Sequence, residues 1–121
     1  MSERYKVINS QTPTFVTITI TGWIDLFIRR AYTKILDDSL NYCIKNKGLI
    51  VHAYVYMTSH IHLIISSKNT DLAAIIRDFK RHTSKELIIA IKDINESRRE
   101  WLLNKFRYKA KRSGRTKNYK L

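Results

Sequence analysis

Two runs rich in β-branched and aromatic residues, Leu49 to Met57 and His60 to Ser66, are separated only by Thr58 and Ser59. A connection that short cannot cross over a sheet, so the two runs must pair antiparallel. Side chains alternate along a strand, which puts His60 and His62 on one face, roughly 6–7 Å apart along the backbone. Ile61 then points to the opposite face and anchors the strand in the core. Imidazole is the commonest metal ligand, and two on one face can converge on a single ion. Spacing alone leaves two readings of the pair open. One is a metal site; the other is one histidine hydrogen-bonded at the strand end and its neighbour solvated.

The remaining pattern builds around this hairpin. Thr14 to Thr21 alternates hydroxyl and apolar residues with period two, predicting a strand with Val16, Ile18 and Ile20 inward and Gly22 at its end. From Arg30 to Lys47, residues Tyr32, Ile35, Leu36, Leu40, Cys43 and Ile44 recur at helical spacing, with Gly48 as the stop. A long helix is predicted from about Thr70 to Lys92, capped by Asn69 or Thr70, with Leu72, Ile75, Ile76 and Phe79 as its apolar stripe. A further helix is predicted from Asn95 to about Tyr108. The order strand, helix, strand, strand, helix predicts an α+β fold, an antiparallel sheet with helices packed on one face, of ferredoxin-like kind. At 121 residues the chain is one domain, read as residues 1–108 followed by a flexible basic tail at 109–121.

Charge narrows the partners. The chain holds 23 Lys and Arg against 10 Asp and Glu, a formal charge of +13, and such a field attracts polyanions, nucleic acid first among them. No apolar run approaches a membrane span, and the first residues lack the apolar segment of a signal peptide, so a membrane is not expected as a partner. The single cysteine, Cys43, excludes an internal disulfide, fits a reducing cytoplasm, and belongs to an apolar stripe.

Two cationic constellations stand out. Arg77, Arg81 and Lys85 are spaced i, i+4, i+8, with Lys80 and Ser84 beside them. Like charges at that spacing repel, and a polyphosphate partner relieves the repulsion, although an ordinary solvated face has the same pattern. The second is the run of Arg98, Arg99, Lys105, Arg107, Lys109, Lys111, Arg112, Arg115, Lys117 and Lys120, interleaved with Tyr108 and Tyr119. Phosphate contacts with aromatic stacking hold single-stranded nucleic acid, and a disordered basic end is the alternative. His52 and His82 are expected to play local polar roles. With two imidazoles and open coordination positions, a metal site here suits catalysis better than structure, and phosphate chemistry favours Mg2+ or Mn2+.

Met57, Ser59, His60, His62 and Leu63, followed by Phe79, Lys80, Thr83, Ser84 and Lys85, resemble the two signatures of the REP-associated tyrosine transposases. These are HUH-type single-strand transposases of insertion sequences. Phe15 to Thr19 and Glu96 to Trp101 are similar to this group as well, so the resemblance covers nearly the whole chain. It implies a ferredoxin-like HUH domain over residues 1–108, Mg2+ or Mn2+ on His60 and His62, and DNA contacts from Arg77, Lys80, Arg81, Ser84 and Lys85. It implies binding of single-stranded or hairpin DNA, and cleavage and rejoining through a tyrosine–DNA link. It further implies a bacterial, cytoplasmic, nucleoid-associated location and allows a homodimer. Thr58 stands where the family usually has proline. None of Tyr5, Tyr32, Tyr42, Tyr54, Tyr56, Tyr108 or Tyr119 has the family's nucleophile context, so the nucleophile is expected beyond Leu121. A DNA-binding remnant without catalysis is the alternative, and an RNA-binding domain whose histidines only pack is a third.

Overall fold

The computed structural model describes residues 1–114 and 118–121. Four strands, β1 (Ser2–Arg4), β2 (Thr14–Thr19), β3 (Leu49–Tyr56) and β4 (His60–Ser67), form one open antiparallel sheet in the order β1-β2-β4-β3. Three helices, α1 (Arg30–Lys47), α2 (Leu72–Asp93) and α3 (Arg99–Ser113), complete an α+β fold. β2 and β3, joined through α1, lie parallel with β4 between them, which is the split β-α-β arrangement of ferredoxin-like sheets.

Period-two patterning decides which face of the sheet is covered. Val16, Ile18 and Ile20 of β2 and its exit, with Ile61, Leu63 and Ile65 of β4, are buried in one core with Leu36 and Leu40 of α1 and Ile75, Ile76 and Phe79 of α2. Burying an aliphatic side chain of this size contributes about 1.5–3 kcal/mol. Truncating fully buried Ile61 to Ala costs about 2–5 kcal/mol, because a cavity adds to the lost transfer term. Thr17 and Thr19, out of phase with this set, take the opposite face.

The helix boundaries follow local chemistry. Gly48 ends α1 with a left-handed φ of 73° and donates its N–H to the Cys43 carbonyl. α2 is capped by Asp71, whose carboxylate accepts from the Ala73 N–H at 3.0 Å, not by Asn69 or Thr70. α3 starts at Arg99 because the preceding residues wrap a buried carboxylate. Glu96 accepts the Tyr32 hydroxyl at 2.6 Å and the Arg98 N–H at 3.0 Å, with Arg29 at 3.4 Å. Burial alone raises the Glu96 pKa, but the bonds from Tyr32, Arg98 and Arg29 outweigh it and hold this carboxyl below its ordinary range.

The C-terminal segment differs from the flexible tail read at 109–121. Helix α3 continues to Ser113, where Gly114 caps it with a φ of 67°. Leu121 is buried, the Lys120 N–H donates to the Phe106 carbonyl at 2.9 Å, and the Thr21 N–H donates to the Leu121 carbonyl. Low apolar content suggested a tail, but Ala110 and Leu121 are apolar where it counts, against the core. Residues 115–117 lie outside the described residues.

Two further features shape the sheet. β1 adds an edge strand of three residues, and β3 carries an irregularity between Val51 and Ala53, at His52. In addition, the turn from β3 to β4 is pinned from two sides. Ile20 donates its N–H to the Ser59 carbonyl at 2.8 Å, and Phe27 donates to the Thr58 carbonyl at 2.9 Å.

Candidate functional site

Strand register assembles three rows on the sheet face away from the core. Arg4, Thr17, His62 and Val55 form one row across β1, β2, β4 and β3. Ser2, Thr19 and His60 form the next, and Phe15, Ile64 and Ala53 the third. Opposed residues in an antiparallel pair share a face, so all ten lie on one surface. Phe15, Ala53, Val55 and Ile64 are exposed there, and both histidines are half-buried.

The two imidazoles lie closer than the backbone repeat alone requires, with ring centroids 4.8 Å apart and planes at 74°. Each Nδ1 meets a hydroxyl: Thr17 Oγ1 at 3.0 Å from His62, and Ser59 Oγ at 3.2 Å from His60. When the imidazole N–H donates to the hydroxyl oxygen, the proton is fixed on Nδ1 and the Nε2 lone pair is left for a ligand. No hydrogen bond to either Nε2 occurs among the described residues. This donor set fits a divalent cation: two imidazoles, each steadied at Nδ1 by a hydroxyl. No group of three or more His, Cys, Asp or Glu gathers around them among the described residues.

Aromatic rings bracket the pair, and sequence reasoning did not place them there. Phe15 stacks on His62 with centroids 5.5 Å apart and planes at 20°. Trp23 lies 5.6 Å from His60 at 59°. The indole reaches that position through two successive left-handed residues, Gly22 at φ 68° and Trp23 at φ 58°. Gly22 takes this conformation freely, whereas for a bulky aromatic it costs about 1–3 kcal/mol. The corner is tied down by the Trp23 N–H donating to the Ile20 carbonyl at 3.0 Å.

The predicted DNA-contact residues gather elsewhere. Arg77, Lys80, Arg81, Ser84 and Lys85 line one open cleft of about 670 Å3 between α2, β1 and the chain's last residues. Thus α2 brings all five together and holds them apart from the histidines, which do not line this cleft. Lys80 is paired with Glu3 across it, and Arg77 lies 3.5 Å from Asp78. Arg81 and Lys85 form no ion pair among the described residues and are exposed. Lys92 and Lys120 add to the same lining.

The basic run near the end serves two ends. Arg98 is held by Asp25 at 2.6 Å, and Arg99 donates to the carbonyls of Ile91 and Ile94, so both build the fold. Arg107 and Lys92 instead flank the Tyr119 ring at 5.4 and 5.0 Å. Arg115 and Lys117 lie outside the described residues. His52 has the local role expected of it, with Nε2 at 2.8 Å from Ser66 Oγ, and His82 is exposed on α2. Cys43 is buried, which pushes its thiol pKa up.

Tyr32, Tyr54, Tyr56, Tyr108 and Tyr119 are engaged away from the imidazoles. Tyr32 donates to Glu96, and Tyr56 donates to Asp37 at 2.7 Å. Burial and that carboxylate raise both phenols well above their usual range. Tyr54 packs on Tyr56, and Tyr108 and Tyr119 accept from Arg112 and Arg107. Among the described residues no tyrosine hydrogen-bonds or stacks with His60 or His62.

No helix among the described residues is long and apolar enough to cross a membrane. Compared with known families, residues 3–119 match the model described as IS200-like transposase. No curated protein and no solved structure gave a match.

Proposed function

The chain belongs to the IS200-like transposase family, a family of DNA-processing proteins, and from that premise we propose that it binds single-stranded or hairpin DNA and holds Mg2+ or Mn2+ at His60 and His62. One observation carries the reading: two Nε2 atoms on one uncovered sheet face, each imidazole steadied at Nδ1 by a neighbouring hydroxyl. Such an ion, when bound, supplies Lewis acidity and a template for the scissile phosphate. With each imidazole N–H donating to its hydroxyl, Thr17 and Ser59 hold the proton on Nδ1 and set the ring orientations. Both imidazoles are half-buried on β4, which holds them in a fixed place on the sheet face. Arg77, Lys80, Arg81, Ser84 and Lys85 grip the DNA backbone at a second place on the molecule, supplying affinity and salt dependence. Cleavage and rejoining through a tyrosine–DNA link is the reaction this arrangement serves.

A second reading has its own observation. It is DNA binding without cleavage, and it rests on Tyr32 and Tyr56 being bonded to Glu96 and Asp37 while no described tyrosine hydrogen-bonds or stacks with His60 or His62. An oligonucleotide substrate that traps a covalent adduct separates the two. An adduct formed with Mn2+ and lost in His60→Ala supports cleavage by this chain, while Mn2+-sensitive binding without an adduct supports the second reading. DNA binding that ignores both Mn2+ and the histidine substitutions overturns the metal centre.

A further inference from the structure

Four rings run in file along the uncovered face: Phe15, His62, His60 and Trp23, with successive centroids 5.5, 4.8 and 5.6 Å apart. The two outer rings are exposed, Trp23 by 71% and Phe15 by 58%. An indole that buries so little gains little from folding, yet the chain holds it in a left-handed backbone position beside His60. Its mount is firm, since the Ile20, Thr21 and Trp23 N–H groups are all hydrogen-bonded to backbone carbonyls. Phe15 is anomalous in a second way. It is an apolar ring in phase with Thr17 and Thr19, on the face opposite the core of its own strand.

The geometry points to Phe15 and Trp23 as paired stacking platforms that clamp unpaired bases on either side of the phosphate held at the histidines. This rests on the reading of the sheet face as a single-stranded DNA site and adds the residues that enforce single-strandedness. Aromatic side chains stack on any base that is free of a partner, whereas a base inside a duplex has no free face to offer. Charge complementarity names a polyanion as the occupant. The three rows on this face include Arg4 in line with His62 and contain no carboxylate. With one base against Trp23 and another against Phe15, the intervening phosphate lies over the two imidazoles. The clamp thereby positions the strand, and it does so without reading sequence, because every base has an aromatic face.

The test uses fluorescence anisotropy with a labelled oligo-dT strand, a matched duplex, and the same strand carrying abasic positions. Trp23→Ala and Phe15→Ala each weaken single-strand binding roughly 5- to 100-fold. Duplex binding stays within about twofold, and the slope against salt stays as in the parent, because no phosphate contact is lost. Trp23→Phe keeps most of the affinity. Abasic sites weaken the parent but not the variant carrying both Phe15→Ala and Trp23→Ala. Equal single-strand affinity in the parent and both alanine variants overturns the clamp while leaving the site itself standing. A parent that prefers duplex to single strand overturns both. If sedimentation shows the parent self-associating and Trp23→Ala releasing it, a second copy of the chain covers this face and the proposal falls.

Discussion

The uncovered sheet face with its two histidines and the α2 cleft with its cations are made in opposite ways. On the sheet, strand register fixes every position, the side chains are short or ring-shaped, and the one cation of the three rows is Arg4. In the cleft, long flexible cations project from one side of a helix whose other side is core. Short, packed side chains lose little entropy on gripping a ligand and hold geometry well; long ones tolerate many geometries and deliver charge. On the proposed reading, the contrast suits the sheet to positioning and the helix to affinity. A protein that must place one phosphate accurately, and hold a long strand loosely, gains from keeping the two apart.

The sharpest way to break this division is at the histidines. His62→Ala removes one of the two proposed ligands and is expected to lower Mn2+ affinity by about 100-fold or more, read by calorimetry, while leaving metal-free DNA binding nearly intact. The converse substitution, Arg77, Arg81 and Lys85 all to Ala, weakens single-strand binding by up to roughly 100-fold at 0.1 M salt and lowers the salt slope by about 2, with Mn2+ affinity unchanged. An unchanged slope removes the cleft from the DNA path. Thr17→Val deletes the hydroxyl behind His62 and lowers Mn2+ affinity about 10-fold, with no change in the salt slope.

Two smaller effects test the frame that carries both surfaces. Glu96→Gln loses charge-assisted bonds to Tyr32, Arg98 and Arg29, costing about 1–3 kcal/mol at neutral pH. The folded-state pKa of Glu96 is depressed, so its stabilisation is present above the ordinary value of 4.5 and disappears as pH falls through the lower folded value. Acid titration of the variant therefore has a shallower limb below about pH 4.5 than the parent. Thr83→Val gives the smallest change. Its buried Oγ1 has no partner among the described residues, so the variant gains about 1 kcal/mol and a few degrees in Tm, with the cleft's DNA binding untouched.

Much of the frame is legible because alternation and helical periodicity are local. The hairpin turn, the shared face of His60 and His62, the α1 stop at Gly48 and the inward set of β2 all follow from neighbours within a few residues. β1 was missed because Ser2–Arg4 has neither alternation nor β-branched residues; it is a strand only because β2 offers it an edge. The α3 boundaries shifted because Glu96 collects partners from α1, a contact across more than sixty residues that spacing cannot show. The site was half legible. Its histidines share a motif, whereas Phe15 and Trp23 arrive from another strand and a strained corner. Phe15 did leave a signal, a ring on the hydroxyl phase of its strand, but the left-handed turn at Trp23 left none.

The sheet is open, and its two edges are guarded differently. One edge is β1, three residues long and bearing Glu3 and Arg4, too short and too charged to template another strand. The other is β3, eight residues long, with His52, Ala53, Tyr54 and Val55 exposed in succession. A straight strand of that length and composition invites edge-to-edge pairing and aggregation. The irregularity at His52, fastened through Ser66, breaks its regularity at the fourth residue. An irregular long edge templates a second strand poorly, so deleting His52 is expected to raise aggregation, read by light scattering.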